Sequence, residues 1–182
     1  MLNYCSLSLR LYLSCLISIC ALPYSIAQNP EAGKGIGSLK LGMNTGEVEW
    51  ELGFRGFRTE RENAAENELY LARIHGIDFD YVLHYEHIMW LPVRSVFFSD
   101  GRANLIEVSS YPEYFRMLCS DMSTERGLDF WADQDEIKAA YGRARVQKSR
   151  GKHYMVYQKE GLGMQLENGE LRSICIFKPL MP

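Results

Sequence analysis

A few residue groups in this chain have types and spacing that could do chemistry. His84, Glu86 and His87 are the cluster with metal-ligand character. On a strand, alternation puts His84 and Glu86 on one face and turns His87 to the other, so three ligands do not converge locally. The order is also not that of a helical His-Glu-x-x-His site. These side chains therefore read as ordinary polar strand positions, and the expected metal complement is none. Cys119 and Cys175 could act as nucleophiles beside a histidine, but a reactive thiolate needs an electropositive, accessible setting that spacing alone does not supply. Glu60, Glu62, Glu66 and Glu68 lie in a charged stretch that reads as a solvated helix face rather than an acid/base pair. No Gly-x-Ser-x-Gly elbow and no Gly-x-x-x-x-Gly-Lys phosphate loop occurs. No catalytic residue is assigned and no cofactor is implied.

Composition narrows the classes further. The 182 residues are 47% hydrophobic and 24% charged with a formal net charge of −3, which excludes a disordered chain. A pI of about 5.8 leaves no basic footprint for nucleic acid. A mean hydropathy of −0.21 with a single long charge-poor stretch excludes a multi-span membrane protein. That stretch is at the N-terminus. Residues 1–27 contain Arg10 as their one charged side chain, then an apolar run to Leu22, Pro23, and Ser25-Ile26-Ala27. This is the three-part pattern of a secretory signal peptide. Cleavage after Ala27 leaves Gln28 as the first of 155 residues, routed to the periplasm or the medium. Lipidation at Cys20, or retention of the segment as an anchor, would instead tie the chain to the envelope membrane. With the signal removed, Cys119 and Cys175 are an even pair in an oxidising compartment, and a disulfide between them is an open reading beside two unpaired thiols.

The elements that must position these residues come in two matching sets. Asn44 to Gly53 and Asp133 to Gly142 each start with an N-cap residue and carry Glu at the third helical position. Each ends in Gly, and each spaces two apolar residues four apart: Val48 and Leu52, Ile137 and Tyr141. Downstream, Ser95–Val108 and Gly163–Ile176 read as hairpins joined by Asp100-Gly101 and Asn168-Gly169. Alternation assigns Val96, Phe98, Ile106 and Val108, with Met164, Leu166, Ile174 and Ile176, to the core face. Phe97, Leu105 and Glu107, with Gln165, Ser173 and Cys175, fall on the other. Those faces need an odd-length loop, because a strict two-residue turn would swap the second strand. A further strand precedes each hairpin, Tyr81–Glu86 and His153–Gln158, with Leu83 and Met155 on the core face.

The expected fold is therefore α+β: two tandem repeats, each a short helical segment on an antiparallel sheet, with one continuous curved sheet and two separate sheets both left open. The expected organisation is a signal peptide at 1–27, a flexible lead at 28–36, a first unit at 37–110, a connector at 111–129 and a second unit at 130–182. Pro112 could open a short helix in the connector. The first unit is longer, and its surplus reads as a helix near 60–68 followed by a strand near 69–75.

A surface is the stronger functional candidate. If helices cover one sheet face, the other is left to solvent or to a partner. In this register that face carries Val82, His84, Glu86, Ile88, Trp90, Phe97, Leu105, Tyr154 and Val156, aromatic anchors among polar residues as at interaction hot spots. The competing expectation is that the insertion, the connector or the N-terminal lead folds over it.

The opening of the first unit, Leu41-Gly42-Met43-Asn44-Thr45-Gly46-Glu47-Val48 with Leu52-Gly53, resembles the start of SmpA/OmlA-type and β-lactamase-inhibitor-protein-like domains. Asn44 stands where that pattern has Ser or Thr. The resemblance implies helix-on-sheet units in tandem and a protein-interaction role. The second unit lacks the Leu-Gly-Met lead and has Asp129-Phe130-Trp131 there, so no binding residue is carried over. The leading expectation is an exported, non-enzymatic module that binds a protein. The alternatives are an envelope assembly or maintenance factor, and an exported enzyme with a cleft between the units.

Overall fold

Helix ends set the frame of the computed structural model, which describes residues 29–85, 93–109, 123–149 and 151–179. Helix α1 (Thr45–Leu52) begins at Asn44, whose side chain accepts the Glu47 backbone N–H while the Glu47 carboxylate accepts that of Asn44. Helix α3 (Gln134–Tyr141) begins at Asp133 with the same reciprocal pair to Glu136. Such caps satisfy backbone donors that a short helix would otherwise leave open. Each helix buries the expected stripe, Val48 with Leu52 and Ile137 with Tyr141. Gly53 closes α1 in the left-handed conformation, whereas Gly142 pairs a positive φ with an extended ψ.

The fold is α+β. Short strands β1 (Pro30–Glu31), β2 (Gly35–Ile36) and β3 (Leu39–Lys40) form a small sheet. The eight-stranded antiparallel sheet contains β4 (Phe57–Glu60), β5 (Tyr81–His84), β6 (Val93–Ser99), β7 (Arg102–Ser109), β8 (Arg145–Ser149), β9 (Lys152–Tyr157), β10 (Leu162–Glu167) and β11 (Glu170–Phe177). Its order is β4-β5-β6-β7-β11-β10-β9-β8, two four-stranded meanders that meet at their last strands.

The leads of α1 and α3 are tied to the meanders in the same way. Gly42 donates its N–H to the carbonyl of Ala103, and Ala103 donates to Met43. Trp131 donates to Leu171, and Leu171 donates to Ala132. Ala103 and Leu171 are each the second residue of a meander's last strand. Gly42 and Trp131 both have positive φ, so a tryptophan takes in the second lead a φ sign that a glycine takes in the first.

The hairpins depart from the expected odd-length loop. Ser99 pairs with Arg102 and Glu167 with Glu170, leaving two-residue turns in which Asp100, Gly101, Asn168 and Gly169 all have positive φ. That is the primed turn favoured by strand twist. The faces are preserved by a bulge just beyond each turn. Phe98 pairs with Ala103 but Phe97 with Leu105, so Asn104 is the extra residue. Leu166 pairs with Leu171 but Gln165 with Ser173, so Arg172 is its counterpart. A one-residue bulge reverses the inversion that a two-residue turn alone would cause.

One core lies between the sheet and α1, α3 and the N-terminal residues, and it includes Leu83, Val96, Phe98, Ile106, Val108, Met155, Met164, Ile174 and Ile176. Residues 28–36 were expected as a flexible lead. Where described, they instead supply β1 and β2, and Ile36 is 1% exposed in this core.

A second core lies on the opposite face under helix α2 (Glu66–His75). Here the expectation of a helix near 60–68 and a strand near 69–75 is corrected. A 3-10 turn covers Arg61–Asn63, and one helix runs through the whole second half. Leu71, Ile74 and His75 recur at helical spacing and are all buried, so tertiary burial of that stripe settles the period. Among the described residues no helix is long and apolar enough to cross a membrane.

Candidate functional site

The strands place the expected binding residues on one face, and α2 then covers that face. Val82, Phe97, Leu105, Tyr154 and Val156 are all buried, in the same cluster as Leu71, Ala72, Ile74, Phe79, Cys175 and Phe177. The expectation of an open sheet face is thus corrected: the insertion in the first meander, residues 61–80, folds across both meanders. His84 stays partly exposed, with Nε2 3.4 Å from Oε1 of Glu68 on α2 and its ring beside Phe57. Glu86, Ile88 and Trp90 lie outside the described residues, as do His87 and the residues around Pro112.

Contacts from the second meander clasp the end of α2. Arg145 on β8 donates to the Ile74 carbonyl, and Gln158 donates to the His75 carbonyl at 3.0 Å. The His75 ring is buried, with Nδ1 2.8 Å from the Leu71 carbonyl oxygen and its centroid 4.8 Å from the Phe177 ring. Burial, with the Arg145 charge nearby, lowers its pKa to about 4. A Cβ on Gly163 would lie 2.0 Å from His75 Nε2, so β10 needs a glycine where the imidazole crosses it.

Beside this apolar cluster runs a polar row at the seam between the meanders. Glu107 is 4% exposed and accepts hydrogen bonds from Ser95 Oγ at 2.6 Å and Ser173 Oγ at 3.1 Å. Cys175 pairs with Glu107 across β7 and β11. It is a free thiol in this structure, and Cys119, its partner in the open reading of a bridge, lies outside the described residues. Burial, with the Glu107 carboxylate next to it, pushes the Cys175 thiol well above its ordinary range, which suits a packed apolar group rather than a nucleophile. Among the described residues no group of His, Cys, Asp and Glu could hold a metal ion.

Among the described residues the outer flank of α2 is accessible and recessed. One recess of about 510 Å³ is lined by Arg61, Glu66, Leu69, Tyr70, Arg73 and Phe79 among others. Its guanidinium groups lie over aromatic rings, Arg61 5.5 Å from Phe79 and Arg73 5.2 Å from Tyr70. A second recess of about 210 Å³ is lined by Glu66, Asn67, Tyr70, Ser149, Lys152 and Tyr154. Tyr70 and Glu66 line both, and the Tyr70 and Tyr154 rings lie 5.3 Å apart. Partial burial pushes the Tyr154 hydroxyl up to about 12, so it is neutral and can donate. Leu69 is 42% exposed at this flank. Sequence reading missed the surface because it divided α2 between a helix and a strand. The spacing of Leu71, Ile74 and His75, with Leu69 and Tyr70 outside that stripe, was the signal that could have found it.

Comparison with known proteins returned no matching family model, no matching curated protein and no matching solved structure.

Proposed function

We propose that the chain is an exported, non-enzymatic protein-binding module whose docking surface is the outer flank of α2. The observation that carries this reading is the pair of adjoining recesses that share Tyr70, with Leu69 exposed and Arg73 stacked beside them. Tyrosine and arginine around an apolar depression are the residues that dominate binding energy at interfaces. Trp50 and Phe57 are more exposed, at 84% and 74%, but single exposed apolar side chains are ordinary on a protein surface and do not line either recess.

Export rests on the signal pattern of residues 1–27. The interaction role draws on the resemblance of Leu41–Gly53 to SmpA/OmlA-type and inhibitor-protein-like units. The reading of the chain as two copies of one unit is supported by the mirrored strand order, by the matched capping at Asn44 and Asp133 and by the equivalent bulges at Asn104 and Arg172.

The test is capture of partners from the envelope fraction by the full chain, by Leu69→Asp and by Trp50→Ala, with circular dichroism as a check of folding. The reading expects a discrete protein that Leu69→Asp loses and Trp50→Ala retains. Equal recovery by all three would place the docking surface elsewhere.

A further inference from the structure

Helix α2 is carried by an insertion whose two ends meet. The chain leaves β4 at Glu60 and enters β5 at Tyr81, and these residues are cross-strand partners. The base of the insertion is closed again by the Arg61 N–H, which donates to the Asp80 carbonyl. Its return segment is anchored on its own: Asn104 donates to the Asp78 carbonyl, and Asp80 donates to the Phe98 carbonyl. Between these anchors and the helix stand Ala64 and Ala65, both extended, on one side and Gly76, at φ 68°, on the other. A glycine and a short extended link absorb a change of backbone direction at little cost. The helix can therefore leave the sheet without breaking a strand pair. We infer that α2 is an acid-released flap: protonation of His75 frees the helix from the sheet while both meanders stay folded.

The geometry of the ring says why. Nδ1 of His75 lies 2.8 Å from the Leu71 carbonyl oxygen, which can only accept, so Nδ1 carries the proton of the neutral ring. Nε2 is turned toward Gly163, whose strand is paired on both sides, by β9 and by β11. An added proton would sit there, against backbone already engaged in the ladder. Around the ring, β11 presents Phe177 and the Cys175 thiol, kept protonated by burial; β10 presents Gly163; β9 presents Val156, with Gln158 just beyond. Arg145 on β8 is the charged neighbour, and its sign opposes an imidazolium. The Glu107 carboxylate on β7 stands beyond Cys175 and is engaged by Ser95 and Ser173. On α2 itself, Arg73 lies over Tyr70 on the outer flank. Near the start of α2, His84 stands 3.4 Å from Glu68, and a charge on His84 would strengthen that contact, so His75 is the group that acid turns against docking. A released ring takes its proton at the ordinary 6.5 and the docked ring only at about 4, so falling pH favours release across that window. Release uncovers Val82, Phe97, Leu105 and Val156. It also parts Leu69 and Tyr70 from Ser149, Lys152 and Tyr154, so on the docking reading above acid dismantles the paired recesses. The movement itself does not depend on that reading.

Native-state hydrogen exchange on the full chain, at about pH 7 and about pH 4.5 and corrected for intrinsic exchange rates, reads the opening directly. The amides of α2 should lose protection roughly fiftyfold between the two conditions, the ratio set by the docked and released pKa values. At both pH values they should stay much less protected than the amides of β10 and β11. His75→Asn, which can still donate to the Leu71 carbonyl but does not titrate, should abolish the acid response; His75→Gln serves if that variant does not fold. Exchange of α2 and the strands at one common rate would mean that the helix leaves only on global unfolding, and would overturn the inference. So would α2 protection that acid leaves unchanged, or a full acid response in the non-titrating variant. A partner that fails to appear in the capture experiment removes the docking reading and leaves the exchange result to judge the flap.

Discussion

Ser173 on β11 donates a 3.1 Å hydrogen bond to the buried carboxylate of Glu107 on β7, across the strand pair where the two meanders join. Glu107 also accepts from Ser95 on β6, so one carboxylate holds three strands in register on the α2 side of the sheet. Removing an acceptor that satisfies two buried hydroxyls leaves both without a partner. Glu107→Ala is expected to lower unfolding free energy by about 1–3 kcal/mol in urea denaturation. Ser173→Ala added to that variant should cost less than in the wild type, because the two share one bond. Full additivity would mean that the bond does not couple the meanders.

His75 makes the attachment of α2 pH-dependent. Its pKa falls from 6.5 in the unfolded chain to about 4 in the folded one, so between those values the unfolded state binds more protons. The stabilisation that comes from keeping this ring neutral is complete above pH 6.5 and is lost as pH falls toward 4. The shift corresponds to about 3 kcal/mol at full effect. The difference in stability between the wild type and His75→Leu should therefore change across this window, with the wild type losing more as pH falls. Parallel profiles would show that the ring is not buried against β10.

The contact between α2 and β10 can be tested by sterics. A methyl group at Gly163 would fall within the His75 ring, so Gly163→Ala should cost about 1–3 kcal/mol, the range for overpacking a filled core. His75→Ala should recover part of that loss in the double variant. A Gly163→Ala protein as stable as the wild type would place α2 away from β10.

Cys175 gives a direct readout of the same cover. Buried at 2% exposure with its thiol pushed up by burial, it should resist alkylation in the native protein and react once unfolded. Mass spectrometry of the peptide containing Cys175 after native-state labelling checks this. Rapid native labelling would show that the sheet face is open.

The strand faces were legible in the sequence because alternation is strong where both faces are buried. Val96, Phe98, Ile106 and Val108 fall on one side and Phe97 and Leu105 on the other, as alternation assigns them. The caps at Asn44 and Asp133 were legible because capping is local chemistry. Burial was not. Whether Phe97 and Val156 meet solvent depends on residues 61–80, far away in sequence, and the charged run from Glu60 to Glu68 masked the helical stripe of Leu71, Ile74 and His75. The edge strands β4 and β8 went unread because they are short and largely exposed, with little alternation. The two-residue turns were misjudged because a bulge leaves no residue-type signature at Asn104 or Arg172.

The central claim is that a protein partner docks on the outer flank of α2, and site-specific photo-crosslinking tests it most directly. A photoreactive amino acid replaces Leu69 in one protein and Val146 in another; both are comparably exposed, but Val146 lies on the β8 edge. After irradiation in the envelope fraction, the account predicts a discrete protein adduct from the Leu69 position, suppressed by excess unmodified chain, and no such adduct from the Val146 position. The absence of an adduct at Leu69, or the same adduct from both positions, would contradict it.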